Sequence, residues 1–155
     1  MLQIEKLNQF YGGSHILRDI SFTAAIGEVT CVLGRNGVGK STLLRCLMGV
    51  LPIASGQITW QGQVVNSLSP HQRVQRGMAY VPQGREIFPD LTVEENLQIG
   101  AMSHPVDFKN KLAEVLEYLP ILAEHMKRKG GVLSGGQQQQ LAIARAFISE
   151  PAVLM

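Results

Sequence analysis

Residues Gly34-Arg35-Asn36-Gly37-Val38-Gly39-Lys40-Ser41 read G-x-x-x-x-G-K-S, with the apolar run Val29-Thr30-Cys31-Val32-Leu33 before them and a helical pattern over residues 42–51 after them. Few folds accommodate that order, because a buried strand must end in a glycine-rich turn that opens directly into a helix. Leu43, Leu44, Leu47, Met48 and Leu51 recur at steps of three and four, which predicts one apolar helix face. The glycines let the loop turn tightly, so that several backbone N–H groups converge on phosphates at a helix start. Lys40 is placed to reach the β and γ oxygens of a nucleoside triphosphate, and Ser41 to ligate Mg²⁺. Residues 34–41 with Thr42 are therefore the candidate nucleotide-binding segment. The competing reading is a structural glycine turn with no ligand.

The chain has 155 residues, 45% of them hydrophobic and 17% charged, the composition of a folded domain with a core. A formal net charge of +2 supplies no basic stripe for nucleic acid. Cys31 lies in the predicted buried strand and Cys46 in the predicted helix. Neither has a second Cys or a His at metal-ligand spacing, so both are expected as small core residues. His15, His71, His104 and His125 are scattered and read as surface or turn residues. No apolar run approaches the ~18 residues a membrane span requires, and no signal-peptide pattern opens the chain.

Around the loop, residues 2–11 alternate apolar and polar at their start, break at Gly12-Gly13-Ser14 and resume over residues 16–25, which predicts antiparallel strands. Residues 58–60 and 64–65 flank Gln61-Gly62 as a short hairpin. Residues 70–76 read as one or two helical turns, and residues 78–81 as a short buried strand ending at Pro82-Gln83. Helix dominates residues 92–125, with Thr92 and Glu95 spaced as a capping box and a break near residues 103–106. Leu112, Val115, Leu116, Leu119 and Leu122 give that stretch an apolar face. Residues 133–137 read as a loop and residues 138–149 as a helix with Leu141, Ile143, Ala144, Phe147 and Ile148 inward. Residues 151–155 begin another buried strand.

A phosphate loop alone does not distinguish kinases, GTPases and motors. Leu133-Ser134-Gly135-Gly136-Gln137, followed by Gln138-Gln139-Gln140-Leu141-Ala142-Ile143-Ala144-Arg145-Ala146, resembles the signature loop and helix of ATP-binding cassette (ABC) ATPases. Ser134 and the following amides stand at a helix N-terminus, a second place where an anion is favoured; the competing reading is an ordinary Ser N-cap. Tyr11 resembles the family's adenine-stacking aromatic, and Gln83 its loop glutamine that ligates Mg²⁺ and senses the γ-phosphate. A strand-end tyrosine and a roleless loop glutamine are the alternatives. The resemblance implies an α/β fold: a P-loop NTPase core (about residues 1–83 and 138–155) carrying an N-terminal antiparallel β subdomain, with an inserted α-helical signature subdomain (about residues 84–137), truncated at the C-terminus. It implies ATP and Mg²⁺ as cofactors, Lys40 and Gln83 as catalytic residues, Ser41 and Gln83 as metal ligands, and Leu133 to Gln137 as the loop that meets ATP bound to a second subunit.

Residues 84–97, Gly84-Arg85-Glu86-Ile87-Phe88-Pro89-Asp90-Leu91-Thr92-Val93-Glu94-Glu95-Asn96-Leu97, are similar to importers of branched-chain amino acids and urea; residues 7–18 and Val38 lean to the urea type. The implied partners are a second ATPase subunit arranged head to tail, integral membrane permease subunits reached through the groove between the Gln83 loop and the helices after Thr92, and a solute-binding protein indirectly. No nucleic acid is expected. The implied location is cytoplasmic, peripheral on the inner face of the cell membrane. In the family the strand starting at Ala152 leads into an Asp-Glu pair that holds Mg²⁺ and polarises water. Neither residue occurs here, so the chain reads as a fragment with little hydrolysis of its own. A soluble non-transport ABC ATPase, or an inert nucleotide-binding fragment that pairs with a whole cassette, remain the alternatives.

Overall fold

The structure is a computed structural model that describes residues 1–84, 86–102 and 106–155 in two units, Met1–Arg73 and Val74–Met155. The expected break near residues 103–106 lies mostly outside the described residues.

The first unit is built on an antiparallel sheet of order β2-β1-β3-β4, with β1 Leu2–Tyr11, β2 Ser14–Ala24, β3 Ser55–Trp60 and β4 Gln63–Val64. Leu2 and Ile4 of β1 and Ile58 and Trp60 of β3 are buried, as the alternation requires, and Leu7 is buried in the opposite phase beyond a bulge. The β1–β2 register shifts between Ile4 and Leu7, and Lys6 and Asp19 both take positive φ there. Asn8 stitches that bulge: its Nδ2 donates to Lys6 O and Asp19 Oδ1, both at 2.9 Å, and its Oδ1 accepts from Asp19 N at 3.0 Å. The β3–β4 turn at Gln61 (φ 48°) and Gly62 (φ 80°) is the left-handed pair that two-residue hairpins favour.

Helix α1 covers Lys40–Leu47 and packs Leu43, Cys46 and Leu47 inward. It ends before Gly49 rather than running to residue 51, because Gly49 takes φ 72° and closes the last turn backwards, with Gly49 N donating to Cys46 O at 3.0 Å and Val50 N to Arg45 O at 2.9 Å. Arg73, from the short helix α2 (Pro70–Val74), donates through Nη1 to Cys46 O (2.9 Å) and Leu47 O (2.7 Å), and through Nε to Leu68 O (3.1 Å). Burial holds the Arg73 guanidinium below its usual pKa, and burial pushes the neighbouring Cys46 thiol up to about 11, partly offset by the arginine's charge.

Residues 29–33 depart from expectation. They form no strand, and Val29 and Leu33 are 92% and 89% exposed. Cys31 is exposed with them. An apolar run becomes a strand only when a neighbour accepts and donates its backbone hydrogen bonds, and no described strand pairs with this one.

In the second unit β5 (Met78–Ala79) pairs parallel with β6 (Val153–Leu154). β5 is buried as expected, but β6 is not, since Leu154 remains 40% exposed. Three helices supply the bulk: α3 Val93–Ala101, α4 Phe108–Tyr118 and α5 Gly135–Phe147, with 3₁₀ turns at Pro120–His125 and Gly130–Val132. Their shared core is Val93, Leu97, Val115, Leu122, Leu133, Leu141, Ala144 and Ile148. Leu112, Leu116 and Leu119 pack against it, while Ile143 is only half-buried and Ala142 takes a buried position instead. Helix α5 begins three residues before the sequence pattern suggests, because Ser134 caps it at once.

Candidate functional site

The phosphate loop runs from Gly34 to Ser41 in the first unit, exposed through Val38 and half-buried at Gly39 and Lys40. Two of its glycines are fixed by geometry. Gly34 sits at φ 154°, where a Cβ would come 2.9 Å from Val38 Cγ2. Gly39 sits at φ 100°, where a Cβ would meet Leu17 Cδ2 at 3.0 Å and Ile16 Cγ2 at 3.1 Å. Strand β2 therefore presses on the end of the loop, and Gly39 becomes the left-handed N-cap of α1 with no side-chain hydrogen bond to the helix. A helix start with no side chain folded over its amides carries positive potential outward.

Lys40 completes that potential. Its Nζ donates to Gly34 O at 2.7 Å and Arg35 O at 2.8 Å, so the ammonium lies across the loop that its own backbone forms. Ser41 is exposed on the first turn of α1 and Thr42 is buried beneath it. Tyr11, 45% exposed, ends β1 at the tip of the hairpin whose second strand touches Gly39. The ring of neighbouring Phe10 stacks on His15 at 4.1 Å between centroids. These groups fit a triphosphate with its hard cation: fixed N–H donors, one ammonium, a free hydroxyl and glycines that let phosphates approach. No cluster of three or more His, Cys, Asp or Glu suited to a metal occurs among the described residues. An ion here would draw on hydroxyl and amide oxygens, phosphate and water instead.

Gln83 and the signature residues belong to the second unit. Gln83 is exposed just past β5. Ser134, Gly135 and Gly136 are exposed, Leu133 is buried as their anchor, and a Cβ on Gly136 would meet nothing within 4 Å. Ser134 is the N-cap of α5 in a full capping box: Ser134 N donates to Gln137 Oε1 at 2.9 Å, and Gln137 N donates to Ser134 Oγ at 3.4 Å. The hydroxyl accepts in that bond, which leaves its proton free to donate outward.

Three residues that the sequence reading left without a role organise the segment between Gln83 and the signature loop. Asn96 of α3, fully buried, accepts from Phe88 N at 2.9 Å and donates to Phe88 O at 3.0 Å and Thr92 O at 2.9 Å. Arg145 of α5 donates to Glu86 O at 2.6 Å and lies over the Phe88 ring at 5.0 Å; Glu86 itself takes φ 48°. Burial lowers the arginine's pKa from its ordinary value. His125 meets Gln137 at 3.0 Å between Nε2 atoms. Asn at the fourth position of an apolar helix and Arg on the half-buried face of another were the available signals. A cavity of about 270 Å³ lies beside this segment, lined by Tyr80, Pro82, Phe88, Ile99, Gly100 and Arg145 among others.

A glycine loop on a bare helix start and an exposed serine-glycine helix start on a helical unit are the features expected of a nucleotide-binding cassette. The chain matches the ABC transporter family over residues 17–155, and it belongs to that family. It is 43% identical over its whole length to the Archaeoglobus fulgidus protein named "Probable branched-chain amino acid transport ATP-binding protein LivF", of which it covers 66%. It is 40% identical to the "High-affinity branched-chain amino acid transport ATP-binding protein BraG" of Pseudomonas aeruginosa, again over its whole length, covering 67% of that protein. A solved structure of an ATP-binding subunit of an ABC transporter superposes with a TM-score of 0.89 at 26% identity, over 99% of this chain and 64% of that one. The chain thus spans about two thirds of the length of these relatives. No helix among the described residues is long and apolar enough to cross a membrane.

Proposed function

We propose that the chain is the ATP-binding part of a bacterial ABC importer that couples ATP binding and hydrolysis to solute uptake, with branched-chain amino acids or urea as the solute. The observation that carries this reading is the pair of unlike helix starts: an uncapped one with Lys40 across it, and a capped one that offers Ser134 and Gly136 to the outside. The names of the 43% and 40% identical relatives support the branched-chain amino acid side of it. Residues 34–42 bind the triphosphate, with Tyr11 against the base, Lys40 on the β and γ oxygens and Ser41 on Mg²⁺. Gln83 is assigned an amide oxygen on that ion and the sensing of the γ-phosphate. Residues 133–137 meet the nucleotide held by a second subunit, so that ATP closes a head-to-tail pair and loss of the γ-phosphate opens it. The cavity beside Phe88 and Arg145 is where a permease segment docks, which sets the working position peripheral to the inner face of the membrane.

The test separates two steps. Lys40→Ala is expected to weaken ATP binding, measured by equilibrium titration, by about tenfold to a hundredfold. Ser134→Phe is expected to leave that binding intact and to abolish ATP-dependent self-association in sedimentation. If Ser134→Phe associates as the wild type does, the head-to-tail arrangement is wrong.

A further inference from the structure

The side-chain amide of Gln137 has two partners that fix which way it points. A backbone N–H can only donate, so Ser134 N, at 2.9 Å, requires the Gln137 carbonyl oxygen. The amide nitrogen is then left facing His125 Nε2 at 3.0 Å and can only donate to it. His125 Nε2 is therefore an acceptor, and the neutral ring carries its proton on Nδ1, which is buried and has no hydrogen-bond partner. This is a relay with one solution. Neutral His125 satisfies Gln137, and Gln137 satisfies the first turn of α5.

A protonated ring has donors at both nitrogens. Facing it, Gln137 keeps its bond to Ser134 only by opposing one donor with another, or turns its oxygen to the ring and presents NH₂ to the Ser134 N–H. Neither orientation makes both bonds. We propose that His125 is a positioning residue for the signature loop: its neutral Nδ1–H form holds Gln137 in the cap of α5, and its protonation releases that cap and the loop at Ser134.

α4 and α5 make the main packing against the 120–125 turn, and the backbone N–H of Arg128 donates to His125 O at 2.8 Å. α4 carries Lys109, Lys111, Glu114 and Glu117, of which Lys111 pairs with Glu114 at 2.8 Å and with Glu150 at 3.5 Å. α5 carries one charge, Arg145, bound to Glu86 O. Glu124 precedes the ring in its own turn, and Lys127 after it pairs with Glu94. The partner that the ring nitrogens do have is the uncharged Gln137, so a charge gained by the ring is met there by a donor.

The reach of this relay into nucleotide handling rests on the function proposed above, whereas the relay itself does not. Long-range nitrogen-proton NMR spectra of the chain are expected to show the Nδ1–H tautomer of His125 at neutral pH. An Nε2–H tautomer overturns the proposal without any variant being needed. Amide exchange at Ser134, corrected for intrinsic rate, is expected to accelerate about fivefold on acidification from about pH 7.5 to about pH 5.5. His125→Gln keeps an acceptor oxygen and removes the titration, and is expected to flatten that profile; His125→Phe is expected to show fast exchange at both pH values. Equal pH dependence in wild type and His125→Gln overturns the relay. With the relay in hand, ATP-dependent self-association is expected to weaken about fivefold on the same acidification in wild type but not in His125→Gln. Insensitivity in both, while Ser134→Phe abolishes association, overturns the link between His125 and the nucleotide. Insensitivity in both with Ser134→Phe also inert locates the failure in the head-to-tail reading.

Discussion

The starts of α1 and α5 are both glycine-rich and both read as anion sites in the sequence, yet they are built in opposite ways. At α1 the N-cap is a left-handed glycine, no side chain closes the first turn, and Lys40 bends back onto the carbonyls of Gly34 and Arg35. At α5 the N-cap is a serine in extended geometry, and Gln137 closes the turn with a reciprocal bond. The first arrangement leaves backbone potential open for a ligand to satisfy. The second is satisfied by the protein itself and holds its shape while presenting a hydroxyl and bare backbone. A helix N-terminus is thus a receptor or a platform according to what caps it.

Removing the side chain that only a receptor needs gives the largest effect. Lys40→Ala is expected to weaken ATP binding by about tenfold to a hundredfold, since hydrogen bonds to charged groups are worth about 1.5–3 kcal/mol. Thermal stability is expected to stay near the wild-type value, because the Lys40 ammonium meets only loop carbonyls. A melt that falls as far as the affinity does would remove the contrast with α5. Gly39→Ala comes next. The residue sits at φ 100° and a Cβ would press on Leu17 and Ile16 at 3.0 and 3.1 Å. The expected cost is about 1–3 kcal/mol of stability, read from a denaturant midpoint, with nucleotide affinity reduced as well because the N–H groups are re-aimed. An unchanged midpoint would show that the loop relaxes into another backbone.

Ser134→Ala tests the platform side. Loss of a serine N-cap is expected to lower the stability of the second unit by about 1 kcal/mol, with no change in ATP affinity for the isolated chain. That pattern is the reverse of Lys40→Ala. Affinity lost together with stability would mean that the two starts share one ligand within a single chain.

How much of this was legible beforehand follows from how local each cause is. The Gln61-Gly62 hairpin and the Thr92/Glu95 box were readable because the partners lie within a few residues of each other. Ser134 was readable as a possible cap, but the start of its helix was not, because Gly135 and Gly136 carry poor helix propensity and the cap outweighs them. Residues 29–33 have a strand's composition, and composition does not supply a neighbour to pair with. Arg73 and His125 gave no signal of their roles, and Asn96 showed only that a polar residue stands among the helix's apolar ones, not what it bonds. Arg73 acts on carbonyls 26 and 27 residues away, His125 on a glutamine 12 residues away, and Asn96 on a loop whose course only the fold determines.

The smallest effect turns α3 into a version of α5. Both helices start with a capping box, but α3 closes its box with a carboxylate where α5 uses an amide. Glu95 accepts from Thr92 N at 2.7 Å and from Thr92 Oγ at 2.8 Å, and these bonds, the backbone one foremost, hold its carboxyl below the usual glutamate pKa. A carboxyl whose folded pKa lies below its unfolded one adds stability above the unfolded value. That contribution fades as pH falls through the folded value and is gone beneath both. Acid therefore loosens α3 in the carboxylate range, whereas the amide of Gln137 that closes α5 carries no titrating carboxyl. Glu95→Gln preserves an acceptor for Thr92 and removes the charge. It is expected to cost little at neutral pH and to reduce the acid slope of the denaturant midpoint between about pH 5 and pH 3. A variant that kept the wild-type slope there would show that the acid response of the second unit comes from other carboxylates, and that the two boxes differ in composition alone.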